Sequence, residues 1–240
     1  MDDDAGAGPR RASRGRGTPA HRTTADVTPT SSDALSRPTD TPGTRILISA
    51  AVETMSEKGF NGTSVRDIAD RAGMSPAVLY HYFGSKHDLL VAIMHRTIDH
   101  LIDRCAAVLA DAPPDPAVRL RRLVREHVLV HTELRREAVL GVGEMHSIER
   151  RERALLIAKR DKHERMFHRV VNEGAASGAF GTPYPAEAVR GILTMATGVS
   201  VWFREGGPLT AAEVADRFAH LALALVQADP AVTFPLPRGS

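Results

Sequence analysis

One cysteine, few aromatic residues and no long apolar run restrict what this chain of 240 residues can be. The single cysteine, Cys105, excludes a disulfide within the chain and suits a reducing compartment. No segment approaches the roughly 20 consecutive apolar residues of a membrane-spanning helix, and the N-terminal stretch lacks the apolar segment of a secretory signal. We therefore expect a cytoplasmic protein with no membrane partner.

The composition also limits the fold class and the way in which the chain could bind nucleic acid. Aromatic residues make up only 5% of the chain, and alanine and leucine are abundant, which favours helices over sheets. The formal net charge of +2 is too small for the whole chain to attract nucleic acid. Any binding of DNA must therefore come from a local arrangement of residues.

Sequence motifs of common enzymes are missing as well. The chain has no G-x-S-x-G, no phosphate-binding glycine loop and no H-E-x-x-H, and Cys105 lies on a predicted apolar helix face, where a thiol is buried and inert. His127 and His131 are four residues apart and could hold a metal ion together with Glu144 or His146, but they serve equally well as hydrogen-bonding groups in a pocket. We expect neither enzymatic activity nor a resident metal or cofactor.

The spacing of apolar residues predicts an all-α fold of about nine helices. Residues 1–43 contain almost no large apolar residue and are expected to be disordered, and the basic stretch at 9–16 is either a solvated tail or an arm that contacts DNA phosphates. Residues 44–86 are expected to form a small N-terminal domain, residues 87–228 a larger helical domain and residues 229–240 a flexible tail. The individual helices are predicted at 44–59, 64–71, 76–83, 86–110, 118–140, 149–176, 186–204 and 210–227.

Three helices within residues 44–83 have the signature of a helix-turn-helix unit. Ser64 and Asp67 have the spacing of an N-capping pair, and Gly73 permits the positive φ of a tight turn. Ser75 is expected to cap the third helix, with Pro76 at its first position. In such a unit the third helix enters the major groove of DNA.

The segment GFNGTSVRDIADRAGMSPAVLYHYFGSKHDLL at 59–90 resembles the DNA-binding segment of TetR-family transcriptional repressors. The resemblance implies an N-terminal helix-turn-helix domain that binds double-stranded operator DNA and a C-terminal domain that binds an effector and dimerises. It also implies phosphate contacts by Thr63, Ser64 and the two tyrosines, with Lys86 as a phosphate anchor. The residues assigned to DNA binding are Thr63, Ser64, Arg66, Ser75, Pro76, Ala77, Val78, Tyr80, His81, Tyr82 and Lys86.

The predicted groove-facing helix is poor in side chains that read bases. Positions 76–79 are Pro-Ala-Val-Leu, none of which can make a bidentate contact with a base. Base preference is therefore expected to depend on Arg66, on His81, on apolar contacts with thymine methyl groups and on DNA shape. Replacing His81 by alanine should change the preference among operators.

The C-terminal half is expected to carry the dimer interface and the effector pocket. Apolar stripes on the last two predicted helices either pack on their own subunit or form a four-helix bundle across a two-fold axis, and we favour the bundle. The residues assigned to the interface are Ile192, Val199, Val214, Phe218, Leu221 and Leu225. The residues assigned to the pocket, which are otherwise ordinary core residues, are His127, His131, Met145, Met166, Phe167, Met195 and Trp202.

The resemblance implies a homodimeric repressor that binds a palindromic operator and is released by a small-molecule inducer. The basic helix at 149–169 is either a solvated face with ion pairs four residues apart or a holder of a phosphate-bearing ligand next to the pocket. The segments at 160–167, 178–180 and 202–209 are loosely similar to the acyl-CoA-responsive branch of the family. The leading effector is accordingly an acyl-CoA or another lipophilic acid of lipid or steroid catabolism. A multidrug-sensing repressor of an efflux gene and a helical protein-interaction module without DNA binding are the alternatives, and a transcriptional activator would use the same parts.

Overall fold

The computed structural model describes residues 34–229, and this part of the chain is predominantly helical. Its only β-type contact is an isolated antiparallel bridge between Phe180 and Ala228, so no strand forms within the described range. The prediction of an all-α fold with about nine helices is confirmed. Numbered in chain order, the helices are α1 Pro42–Gly62, α2 Val65–Arg71, α3 Pro76–Phe83, α4 Lys86–Ala110, α5 Pro116–Glu133, α6 Arg135–Gly143, α7 Arg150–Ala176, α8 Pro185–Trp202 and α9 Ala211–Leu225, with a short 3-10 helix, Met145–Ser147, after α6.

The packed part of the chain begins earlier than the sequence predicted. Leu35 is 2% exposed, and the carboxylate of Asp40 accepts hydrogen bonds from the guanidinium of Arg96 in α4, one of them at 2.8 Å. This ion pair lowers the pKa of Asp40. The expected boundary at residue 44 is therefore wrong for residues 34–43, because a single leucine and a distant arginine anchor a segment of otherwise polar composition. The rest of the predicted extension, residues 1–33, and the tail from 230 lie outside the described residues.

Local signals set the start of α2 and the turn before α3 as expected. Gly59, at φ 72°, kinks α1, but the helix continues to Gly62, so its predicted end at residue 59 lies three residues too early. Ser64 and Asp67 form a reciprocal capping box at the start of α2, with Asp67 N–H donating to Ser64 Oγ at 3.1 Å and Ser64 N–H donating to Asp67 Oδ2 at 2.8 Å. Gly73 takes φ 65° in the turn between α2 and α3. The helix-turn-helix unit follows directly from this capping and turn chemistry.

The single helix predicted at 118–140 is wrong, because the chain breaks it into α5 and α6 at Leu134. This residue has φ −100° and ψ 43°, and its side chain is fully buried. Neither proline nor glycine lies at the break, so the local sequence does not predict that the helix ends there. The break lets α6 change direction and pack against α1, α4 and α8. Through α6 the C-terminal domain therefore touches the N-terminal domain.

The centre of the C-terminal domain is α5, which packs against α4, α7, α8 and α9. Its residues Leu120, Leu123, Val124 and Val128 are fully buried in the shared core. Within residues 34–229, no helix is both long and apolar enough to cross a membrane.

Candidate DNA-binding surface and effector cavity

Helix α3 presents one exposed face, and the assigned groove-contacting residues lie on it. Leu79 is fully buried against the rest of the domain, whereas the side chain of Tyr80 is 54% exposed. Ser75, Pro76, Ala77 and His81 are also exposed, and Val78 is half-buried. Ser75 occupies the N-cap position of α3, but its hydroxyl makes no capping hydrogen bond, which corrects the expected role. Because Pro76 already removes one of the N–H groups at this terminus, the helix depends less on a cap.

Thr63 does not lie on the DNA-binding face, although it was assigned to it. Its side chain is 2% exposed, and its hydroxyl donates to the carbonyl of Gly59 at 2.7 Å. The hydroxyl is thereby committed to closing the kinked last turn of α1 and cannot contact a phosphate in this conformation. The neighbouring Ser64 is exposed, although its hydroxyl is shared with the capping box.

Lys86 holds the C-terminal end of α1. Its ammonium donates to the carbonyls of Phe60 at 2.8 Å and Thr63 at 2.5 Å, and it lies 4.3 Å from the centroid of the Phe60 ring. Cations at a helix C-terminus satisfy carbonyls that have no partner inside the helix. Two of the three N–H donors of Lys86 are used in this way, which leaves one for a phosphate.

Few cations of the N-terminal domain are free to meet a phosphate. Arg71 lies between two glutamates of α1, at 2.5 Å and 3.2 Å, and Lys58 donates to Asp67 at 2.5 Å. Arg66 points outward from α2, its side chain is 83% exposed, and its nearest acid, Asp70, is 4.0 Å away. Arg66 is therefore the most available cation on this surface.

A side chain of the C-terminal domain reaches the same turn of α1. Glu144, just after α6, accepts a hydrogen bond from the backbone N–H of Phe60 at 3.2 Å. Its other carboxylate oxygen accepts from the hydroxyl of Ser147 at 2.9 Å, which fixes the carboxylate. The sequence indicated Glu144 only as a possible metal ligand, because a contact between residues 84 positions apart produces no pattern in the local sequence.

A cavity of about 230 Å³ lies between α4, α5, α6, α7 and α8. Of the residues assigned to a pocket, it contains His127 and His131. Phe167 is fully buried behind the lining residues His127 and His163, and Trp202 is 49% exposed on the surface; neither belongs to the lining of the cavity. Met145, Met166 and Met195 are partly buried against the core and are also absent from its wall. The lining is formed by Met94, Thr97, Ile98, Leu101, His127, Val130, His131, Leu134, Glu137, Ala138, Gly141, Val142, Leu156, Arg160, His163, Glu164, Leu193 and Thr197.

Three neutral histidines form the deep wall of the cavity. The His127 and His131 rings are stacked, with centroids 4.1 Å apart and planes at 16°, and His127 Nδ1 is 3.4 Å from His163 Nε2. Burial lowers the pKa of all three, that of His163 to about 3. The thiol of Cys105, 3.7 Å from His163 Nε2, has its pKa raised by burial to about 12. Across residues 34–229, no group of three potential ligands is arranged to hold a metal ion.

Glu137 and Arg160 also line the cavity, and the sequence did not single them out as pocket residues. Glu137 on α6 is 1% exposed, its Oε2 has no hydrogen-bond partner, and burial raises its pKa to about 7. Arg160 on α7 donates to the carbonyl of Gly141 at 2.6 Å and forms no ion pair within the described residues, and burial lowers its pKa. Arg160 lay within the basic helix noted in the sequence, whereas Glu137 gave no signal because its burial depends on the break at Leu134.

The expected dimer stripes divide into buried and exposed residues. Ile192, Val199 and Val214 are at most 1% exposed within the protomer, so they pack on their own chain and not across a two-fold axis. Phe218 is half-buried, and Leu221 and Leu225 are 48% and 44% exposed. The exposed apolar face of α8 and α9 comprises Trp202, Phe218, Leu221 and Leu225.

Comparison with known proteins agrees with the two-part architecture. The family described as bacterial regulatory proteins, tetR family, matches residues 47–93. The family described as tetracyclin repressor-like, C-terminal domain, matches residues 113–226.

Individual relatives extend this likeness over most of the chain. The HTH-type transcriptional repressor KstR2 of Mycobacterium tuberculosis is 31% identical over 179 residues, which cover 74% of this chain and 89% of KstR2. The structure of the TetR family regulator PfmR from Thermus thermophilus has a TM-score of 0.70 and 32% identity, covering 77% of this chain and 98% of PfmR. The structure of AibR in complex with isovaleryl coenzyme A and operator DNA has a TM-score of 0.68 and 24% identity, and the match covers 78% of this chain and 99% of the AibR chain. At this identity the likeness supports the fold alone. The capped helix-turn-helix, the C-terminal helical domain with its buried cavity and these matches together establish that the chain belongs to the TetR family of ligand-responsive, DNA-binding transcriptional repressors.

Proposed function

We propose that this regulator represses transcription as a homodimer on a palindromic operator and is released when a lipophilic acid, with an acyl-CoA as the leading candidate, occupies the cavity. The choice of effector rests on the position of Arg160, which lines the cavity without an acidic partner among the described residues. Its side chain is half-buried at an otherwise mostly apolar cavity, burial lowers its pKa, and no carboxylate of the described residues pairs with it. A buried cation without an anion is costly, and a carboxylate or phosphate of the ligand would supply the missing partner.

The size of the cavity sets which part of such a ligand it can hold. About 230 Å³ is below the usual range of roughly 300–1,000 Å³ for ligand pockets, so it suits an acyl group and not a whole nucleotide. A second, mostly apolar groove between α6, α7 and α8 shares Val142, Glu164, Leu193 and Thr197 with the cavity and adds Arg190. The groove is open to solvent, which would let the polar portion of an acyl-CoA extend outward from the acyl group.

A route from ligand to DNA runs through α6. This helix contributes Glu137, Ala138, Gly141 and Val142 to the cavity, and at its end Glu144 holds the Phe60 N–H. A ligand that favours a different position of α6 would displace the turn that precedes α2 and change the orientation of the DNA-binding domain. The loss of DNA affinity then equals the difference in ligand affinity between the two states.

Dimerisation would use the exposed apolar face of α8 and α9 defined above. Two copies related by a two-fold axis would bury this face and hold the two α3 helices at the spacing of successive major grooves, roughly 34–36 Å. Sedimentation equilibrium of the full chain, with Leu221→Glu as the disrupting variant, measures this directly. A chain that sediments as a monomer at micromolar concentration would contradict the proposal.

The effector assignment is tested by fluorescence anisotropy on DNA from the promoter beside the regulator's own gene. We expect acyl-CoAs and the corresponding free acids to release the DNA, and Arg160→Gln to weaken that response at least tenfold without changing binding of the free protein to DNA. Lys162→Gln on the exposed face of α7 is the matched control. Release by planar cationic drugs and not by acids would favour the efflux-type alternative, and no binding to DNA at all would favour an interaction module.

A further inference from the structure

Glu137 is a buried acid on the wall of the cavity, and the proposed function gives it no role. Three buried side-chain atoms in residues 34–229 have no hydrogen-bond partner, and of these only Glu137 Oε2 belongs to the lining of the cavity. A buried polar atom without a partner is destabilising, and such atoms are rare in folded proteins. A cavity that holds one is suited to a ligand that supplies the missing hydrogen bond.

The other polar groups of the cavity have partners of their own. His131 Nδ1 donates to the carbonyl of His127 at 2.8 Å, and His127 Nε2 lies 3.2 Å from the hydroxyl of Thr197. Glu164 accepts from His168 at 3.2 Å. Glu137 Oε2 is therefore the one lining atom of the cavity, among the described residues, that is both buried and without a hydrogen-bond partner.

The position of Glu137 relative to Arg160 defines the shape of the ligand. Arg160 is held by the carbonyl of Gly141, four residues after Glu137 on α6. Residues four apart lie on the same face of a helix, separated by about one turn of 5.4 Å. Helical side chains lean toward the N-terminus and carbonyls point toward the C-terminus, so the two polar groups are spaced by more than this turn along one wall.

We infer that Glu137 recognises a second, uncharged oxygen on the effector, a ketone more than one helical turn away from the anionic group that Arg160 binds. The inference rests on the proposed function and specifies its ligand as a keto acid or its thioester. Because burial raises the pKa of Glu137 to about 7, the carboxyl is available in its protonated form, which donates an O–H to a ketone.

Isothermal titration of the full chain near neutral pH tests this with paired ligands. The probes are medium-chain acids with a ketone next to the terminal methyl group, compared with unsubstituted acids of the same chain length. We expect the natural chain to bind the keto acid about fivefold to tenfold more tightly. Equal affinities, or a preference for the unsubstituted acid, would overturn the inference while leaving the proposed function intact.

Variants of Glu137 add a second readout. Glu137→Leu should lose the preference for the keto acid and keep its affinity for the unsubstituted acid, whereas Glu137→Gln should keep the preference because an amide also donates a hydrogen bond. Retention of the preference in a folded Glu137→Leu variant would overturn the inference. If neither acid binds the natural chain, both the inference and the proposed lipophilic effector fail.

Discussion

The hydrogen bonds from Lys86 to the end of α1 make a quantitative prediction about stability. We expect Lys86→Met to lower the free energy of unfolding, because it removes the ammonium while keeping an unbranched apolar stem beside the Phe60 ring. The carbonyls of Phe60 and Thr63 then lose the donors at 2.8 Å and 2.5 Å. Methionine is a good helix former, so the first turn of α4 itself is little affected.

The magnitude follows from the number and exposure of these bonds. A hydrogen bond to a charged group contributes about 1.5–3 kcal/mol, and there are two here. Lys86 is only half-buried, so water screens the charge and can replace part of the interaction. We therefore expect a net loss of about 1–2 kcal/mol, which corresponds to a fall in Tm of about 2–8 °C for a chain of this size.

Circular dichroism during thermal and urea unfolding measures this loss, at one fixed protein concentration because a dimer's stability depends on concentration. Lys162→Met, on the exposed face of α7, removes an equivalent charge without any such contact and is the control. If the two variants unfold at the same urea concentration, then the hydrogen bonds of Lys86 do not stabilise the domain and the reasoning is wrong.

Three further predictions concern other parts of the molecule. Arg66→Ala should leave unfolding unchanged but reduce the slope of log affinity for operator DNA against log salt by about 0.9 for each protomer, or about 1.8 for the bound dimer, and an unchanged slope would exclude a phosphate contact. Gly174→Ala should destabilise the chain by about 1–3 kcal/mol in urea unfolding, because a β-carbon there would lie 2.1 Å from the buried Phe180 ring, whereas Gly143→Ala, with no atom within 4 Å, should not. Stability should fall as the pH drops from 7 to 5, since the three cavity histidines with lowered pKa values take up protons only on unfolding, at about 1.4 kcal/mol per pH unit for each net proton. Glu137, whose pKa is raised, opposes this trend between its unfolded and folded pKa values, so a pH series of urea unfolding should show a steeper fall for Glu137→Gln.

Short-range features of the sequence were enough to predict the DNA-binding unit. The capping box at Ser64, the turn at Gly73 and the proline at the start of α3 all act within four residues of their own positions. The local sequence therefore contains all the residues that take part in these interactions. The same holds for α4, whose bounds agree with the prediction, and for the breaks at glycine and proline.

Side-chain direction within that unit could not be predicted in the same way. The resemblance implied a contact between Thr63 and a DNA phosphate. In the structure the Thr63 hydroxyl points inward and donates to the carbonyl of Gly59, where α1 is kinked. The resemblance also gave no indication that Lys86 holds the end of α1, since the carbonyls it contacts are more than 20 residues away. Both outcomes depend on how α1 and α4 pack together.

By itself, the sequence determined the all-helical class, the helix-turn-helix and the family, because each depends on local spacing, capping and turn chemistry. Only the tertiary structure decided the break at Leu134, the burial of Glu137 and the convergence of His127, His163 and Arg160 on one cavity. The physical reason is that a cavity is formed by side chains from five helices, and their distances depend on packing across the core and not on any sequence period.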